Sequence, residues 1–488
     1  MTSVRTAARV RLVVMVLALA GVLVALVATL IVPLVAHLPE VFDVSPVAAS
    51  WLLTSTLVAG AVATPIMSRL ADQHGKRPML LISLALLVLG SLLLATSSSF
   101  VLAVAGRSLQ GFGSALIPIA MSILKDVLPA ERVGSGVALV SATLGLGSAI
   151  GLPLAGVLYG ATGWSGLFWL TGGLGLLLMV AVRAVLPAPA RGSRVRHAFD
   201  WWGAALLLCV LVPLLLVVSQ GNTWGWDSPR ILVLGPVATV ALAAWVLWER
   251  RAPAPLIDVR LAVRRRVLLT NLASAAVSLG MLANLLVAAG QLGAPESVGG
   301  FGLSTGGIGL AAAAPAVVLV LSAPLVGRLL RVFGGRWVLS VGALVMAVSY
   351  VARVFLDGSV PQVVLGAALV SIGTSFCLSA IPIIIMAAVP SRQTASANGV
   401  NSLFRTIGTS VSTAGLAALT SATAVVAGGL EYPSVQSHHI ALLSCASAAL
   451  VAAGLAWAIP RTPEAAARPG SDALIAVPGV PGEIVELT

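Results

Sequence analysis

Ser68-Arg69-Leu70-Ala71-Asp72-Gln73-His74-Gly75-Lys76-Arg77 stands between two apolar runs, 48–67 and 78–96. Each run is close to the roughly 20 helical residues, at about 1.5 Å per residue, that cross the hydrocarbon core of a bilayer. Gly75 can take the turn that joins two antiparallel helices, and Asp72 lies among cations with which it can pair, or near helix ends that it can cap. The stretch therefore reads as a short charged loop between two membrane helices.

The alternation continues in both directions. Apolar runs at approximately 12–36, 48–67, 78–96, 100–124, 134–158, 164–186, 201–219, 231–248, 267–292, 306–328, 336–355, 361–388, 396–425 and 438–459 predict fourteen transmembrane helices. Composition agrees: 59% of the 488 residues are hydrophobic and only 9% charged, with a mean hydropathy of +1.06, whereas a soluble chain carries about a quarter charged residues. Barrel strands of about 10 alternating residues do not fit these runs. Arg5, Arg9 and Arg11 precede an apolar run too long for a secretory signal, so 12–36 is kept as helix 1. Cys209, Cys377 and Cys445 fall in apolar runs and are expected to be buried, unpaired thiols, with no metal framework.

The net charge of +12 does not form a nucleic-acid stripe, because the cations are spread over many short segments. With the amino terminus inside, 24 of the 28 basic residues fall in cytoplasmic segments; Arg230 and Arg353 are placed outside, and Arg107 and Arg405 within the membrane. The expected organisation is a six-helix bundle at 1–186, linkers and an additional pair (helices 7 and 8) at 187–266, a second six-helix bundle at 267–459, and a cytoplasmic tail at 460–488 without fixed structure. Both termini are expected in the cytoplasm.

Several helices carry groups that lipid does not suit. Arg107 lies seven residues past Phe100, followed by Gln110 and Gly111; a cation at that depth needs partners, water or an interfacial snorkelling route. Helix 5 has Gly147, Gly151, Pro153 and Gly156, a pattern for close helix contact followed by a bend. Asn398, Ser402, Arg405, Thr409 and Ser412 recur at steps of three and four on helix 13, with Asn401 beside them, as cavity lining or as polar glue between helices. Helix 9 offers Asn271, Asn284 and Gln291 in the same two roles.

The loop at 68–77 resembles the Gly-x-Leu-Ala-Asp-x-x-Gly-Arg-Lys signature of the major facilitator superfamily, with Ser68 in place of the first Gly. In that family the loop latches the outward-facing arrangement, which casts Arg69, Asp72, Gly75, Lys76 and Arg77 as a conformational latch. Gly327-Arg328-Leu329-Leu330-Arg331-Val332-Phe333-Gly334-Gly335-Arg336 repeats the pattern weakly, with Arg331 at the acid position, as expected of two related halves. Arg107-Ser108-Leu109-Gln110-Gly111 resembles the family's Arg-x-x-Gln-Gly element, implicated in proton coupling. Gly147-x-x-x-Gly151-Leu152-Pro153-x-x-Gly156 is similar to the antiporter motif of its drug exporters, with Leu152 inserted and one Gly missing. Asn398-Gly399-x-Asn401-x-x-x-Arg405-x-x-Gly408 is similar to the late-helix signature of the fourteen-helix drug:proton antiporters.

The departure from that branch is chemical. Where many of its members carry an Asp on helix 1, this chain has Val27, and none of its sixteen Asp and Glu residues falls in the middle of a predicted helix. A buried carboxylate is the usual group that exchanges a proton for a cationic drug. Coupling would instead use Glu40, Asp43, Asp227 or His37 at outer helix ends, or water around Arg107. A carboxylate-free cavity holding Arg107 and Arg405 should favour neutral or anionic amphiphiles. The resemblance implies an all-α transporter of the major facilitator fold that exports hydrophobic or amphipathic small molecules, drugs and antibiotics included, by alternating access. Its expected energy source is the proton gradient, with no cofactor or metal, and its expected setting the bacterial plasma membrane, as a monomer. No Gly-x-x-x-x-Gly-Lys-Ser/Thr loop supports an ATPase and no Gly-x-Ser-x-Gly element an intramembrane hydrolase. A metabolite importer or uniporter and a non-transporting sensor are the alternatives.

Overall fold

In hydrocarbon every backbone N–H and C=O must be paired within its own segment, so the apolar runs have one outcome, the α-helix. The computed structural model describes residues 2–31, 34, 38–186, 199–427 and 430–460. His37, the linker arginines Arg191, Arg194 and Arg196, and the tail from residue 461 lie outside the described residues.

The first half comprises α1 (Thr2–Thr29), α2 (Trp51–His74), α3 (Lys76–Thr96), α4 (100–127), α5 (130–162) and α6 (164–185). In α4 a 3₁₀ turn, Phe112–Ala115, stands just before Pro118, which has no N–H to return to residue 114. An additional pair follows, α7 (Trp201–Trp224) and α8 (Pro229–Glu249). The second half is α9 (Arg265–Gly293), α10 (305–333), α11 (335–355), α12 (Val360–Ala388), α13 (Thr394–Ala422) and α14 (Val435–Trp457), with a small antiparallel hairpin, Ala424–Ala427 with Leu430–Pro433, before α14.

Among the described residues, 12 segments are long and apolar enough to cross a membrane. One of them, Gly306–Phe355, holds two helices that turn at Gly334, and the 29-residue α13 falls outside that set because of its polar stripe. The arrangement is thus compatible with fourteen crossings. Gly75 (φ 104°) and Gly334 (φ 76°), at equivalent places in the two related loops, both adopt the left-handed backbone that their turns need.

The apolar side chains partition by half. One core joins α1, α3, α4 and α6 near the 68–77 loop; another unites α9 to α12 and α14, and takes Ala138 and Ala142 of α5 with it. The additional pair packs Leu207, Leu211 and Leu215 toward Ala61 of α2 and Val400 and Leu403 of α13, bridging both halves. Outward-facing Leu177, Val240, Leu321 and Phe355 stand exposed, the surface a bilayer would cover. Cys377 and Cys445 are buried as expected, but Cys209 is exposed, because α7 turns that position away from its contacts with α2 and α13.

Candidate functional site

Asp72 closes the two halves against each other. Its Oδ1 accepts from the Ala395 N–H (3.2 Å), and its Oδ2 from the Ser396 N–H (2.8 Å) and hydroxyl (2.6 Å), all in the first turn of α13. The unsatisfied N–H groups and positive dipole end of that helix are what a carboxylate binds best. Around it, the Ser122 and Thr394 hydroxyls hydrogen-bond to each other (2.5 Å), and Lys125 donates to the Met386 carbonyl (2.6 Å), so α4 also reaches across to α12 and α13. Lys76 stays within its own half, on the Ser122 carbonyl (3.2 Å) and Asp126 (2.5 Å).

The substitution of Ser68 for glycine has a counterpart across the interface. A Cβ at Gly399 would lie 2.8 Å from Ser68 Oγ, so α2 and α13 touch because one of the pair is Gly. In the other half Gly327 occupies the place of Ser68, and a Cβ there would meet Ser135 Oγ of α5 at 2.7 Å. Arg77 donates to the Arg183 carbonyl at the end of α6 (2.6 Å), and Arg336 does the same to the Trp457 carbonyl at the end of α14. The two loops therefore share geometry. The acid breaks the symmetry: Arg331 stands where Asp72 does, and among the described residues it makes no bond to the first turn of α5.

Arg107 is 2% exposed and hydrogen-bonded within the first half. Its Nε donates to the Leu52 carbonyl (3.0 Å); one terminal nitrogen donates to the Val27 carbonyl (3.2 Å) and to Gln110 Oε1 (2.7 Å). Gln110 passes the network to Ser91 (2.8 Å), which also accepts from Thr171 (3.2 Å). Arg107, Gln110 and Ser91 together thus tie α1, α2, α3 and α6 to α4. Arg107 does not line the cavity between the halves.

The helix 5 glycines split their tasks. Gly147 sits on the Val22 carbonyl and Gly151 on the Thr29 hydroxyl, where any Cβ would collide with α1. Pro153 instead meets Gly309 of α10, across the interface, while Gly156 faces open space. The outer acids Glu40, Asp43 and Asp227 are exposed and are not gathered with Arg107.

A cavity lies between α4, α5, α12 and α13, above the latch. Ile117, Met121, Leu144 and Leu378 give it apolar walls, and Asn398, Asn401, Ser402 and Arg405 bring polarity from α13. The centre of a water molecule has ≈ 20 Å³ to move in, room for about one water, so a larger ligand requires the halves to part. Asn271 stands behind this wall, accepting from Asn401 Nδ2 (3.1 Å). Thr409 turns back to the Thr406 carbonyl (2.9 Å) and is not among the lining residues.

Two positions differ from the sequence reading. Arg353, placed outside the membrane by loop counting, is 1% exposed within the second half. It draws Asn284 (side chain and carbonyl) and Gln291 (3.2 Å) to itself, so these two serve a buried cation and do not line the cavity. A carboxylate was also missed. Glu249, assigned to a linker, is the last residue of α8, 3% exposed, with Oε2 accepting from the Ile257 N–H (3.3 Å) and Oε1 unpartnered among the described residues. Arg69 lies within electrostatic reach of it. Nothing in the local sequence signalled this burial, since the neighbouring Trp245 and Trp248 read equally as interfacial anchors and Trp248 is exposed.

The sequence profile of the Major Facilitator Superfamily matches residues 17–301 and 268–481. Multidrug resistance protein Stp of Mycobacterium tuberculosis is 26% identical over 380 residues, 77% of this chain and 70% of that protein. Multidrug export protein EmrB of Haemophilus influenzae is 27% identical over 375 residues, 75% of this chain and 71% of that one. The solved proton:xylose symporter XylE superposes with a TM-score of 0.65 over 93% of this chain and 97% of its own, at 14% identity, a likeness of fold alone.

Proposed function

The chain belongs to the major facilitator superfamily, matched over residues 17–301 and 268–481, and from that premise we propose that it exports hydrophobic or amphipathic small molecules, drugs and antibiotics among them, in exchange for protons. It is a multi-pass membrane transporter, not an enzyme. The names of Stp and EmrB support the direction and the substrate class.

The observation that carries the mechanism is the closure at Asp72. A substrate site between two halves, sealed at one end by a carboxylate on a helix terminus, becomes an alternating-access device when that bond opens and the opposite end shuts. The loops at the latch end hold most of the basic residues, so we assign that end, and both termini, to the cytoplasm. On this reading the structure is latched against the cytoplasm, and the Arg107 network moves α1, α2, α3, α4 and α6 as one body. The transporter works as a monomer, powered by the proton gradient without a cofactor.

Inverted vesicles with an imposed proton gradient test this. Gradient-driven accumulation of dyes and antibiotics, abolished by a protonophore and by Arg107→Ala, is the expected result. Movement that ignores the gradient, or none across the panel, would refute proton-driven export.

A further inference from the structure

Three arginines stand inside the helical bundle, and they are not alike. A guanidinium at membrane depth is costly unless its N–H groups find acceptors. Arg107 has two backbone carbonyls and Gln110; Arg353 has Asn284 and Gln291. Arg405, on the wall of the central cavity, makes no hydrogen bond or ion pair to any described residue, and no other charged group acts on it. No carboxylate lines that cavity: its other walls are apolar or carry neutral amides and hydroxyls.

Arg405 is partly exposed, and a fork of donors that faces the cavity without a protein acceptor is open to one that arrives with the ligand. We infer that Arg405 is the anchor for a negative group, a carboxylate or phenolate, on the transported molecule, and that the central site takes amphipathic organic anions in preference to cations. This deepens the export reading and rests on it. Ile117, Met121, Leu144 and Leu378 receive the apolar body, while the planar fork pairs with the anion in bidentate fashion. A lipophilic cation would meet the Arg405 charge with nothing to offset it.

The site is tested by binding, separately from transport. Purified protein in phosphatidylcholine nanodiscs is titrated with fluorescein, an anion, and rhodamine 6G, a cation on the same xanthene frame, by fluorescence anisotropy. Fluorescein should bind at least about tenfold tighter than rhodamine 6G, the size of effect expected from charge-assisted hydrogen bonds. Arg405→Gln should lose at least about tenfold in fluorescein affinity and Arg405→Lys should keep most of it, with both variants melting as the parent does. Equal fluorescein affinity in parent and Arg405→Gln, tighter rhodamine 6G binding by the parent, or equal loss of both dyes in both variants would overturn the inference. Displacement of fluorescein by dihexanoyl phosphatidylglycerol at or below fluorescein's own Kd would assign the charge to a lipid headgroup and also overturn it. Arg405-dependent binding without gradient-driven transport would leave this inference standing and refute the export reading.

Discussion

Replacing Asp72 by Ala should unlatch the cytoplasmic end. The change removes a carboxylate that accepts two backbone N–H bonds and one hydroxyl bond from the first turn of α13. The Ser396 hydroxyl can turn to another acceptor, so the loss is carried by the two N–H groups and the helix dipole. At about 1 kcal/mol for each bond to a charged acceptor, discounted for partial exposure, and about 0.5–1 kcal/mol for the dipole, the closed state loses about 2–3 kcal/mol. That is a shift of about 30- to 150-fold in the closed-to-open ratio. His74 and Ser391, both exposed at this end on opposite halves, can carry spin labels after conversion to Cys. Cys209 would be replaced beforehand because it alone of the native thiols is exposed. Double electron–electron resonance should show one short distance in the parent and a dominant longer population in Asp72→Ala. An unchanged distribution in a variant that melts normally would refute the latch argument.

Three further outcomes follow from the contacts. Gly399→Ser should impair transport several-fold by forcing α2 and α13 apart, and Ser68→Gly in the same chain should restore it, since the pair then matches Gly327 and Ser135; failure of the double variant to recover refutes this. Arg107→Gln should lower the melting temperature by several degrees, because the Val27 and Leu52 carbonyls lose their side-chain donor, at about 2–4 kcal/mol; a stable variant with intact transport would contradict it. Arg353→Met should destabilise through orphaned Asn284 and Gln291 by about 2–3 kcal/mol, seen in thermal unfolding, while dye binding at the central cavity stays within about threefold; a large loss of binding would show that Asn284 and Gln291 reach the ligand after all.

Length and hydropathy made the helices legible, and even α13, too polar for a simple hydropathy criterion, could be read from the three- and four-residue spacing of its polar face. The turns at Gly75 and Gly334 were likewise visible in the related loops. What the sequence could not disclose was partnership. The acceptor groups of Arg353 lie 62 and 69 residues away, and the groups that Asp72 holds lie 323 and 324 residues away. Asn284 and Gln291, a heptad apart, looked like cavity residues because periodicity gives a face but does not say what covers it. Arg405 belonged to a recognisable stripe, and the finding that, unlike the buried Arg107 and Arg353, it has no hydrogen-bond partner among the described residues needed the packed bundle.

Substrate-driven proton release separates antiport from every uncoupled scheme. Proteoliposomes loaded with the pH-sensitive dye pyranine would be held without a gradient and given substrate on one side. A protonophore-sensitive pH change in the lumen is expected on substrate addition, absent in Asp72→Ala and Arg107→Gln proteoliposomes. Substrate uptake with no accompanying proton movement would contradict it.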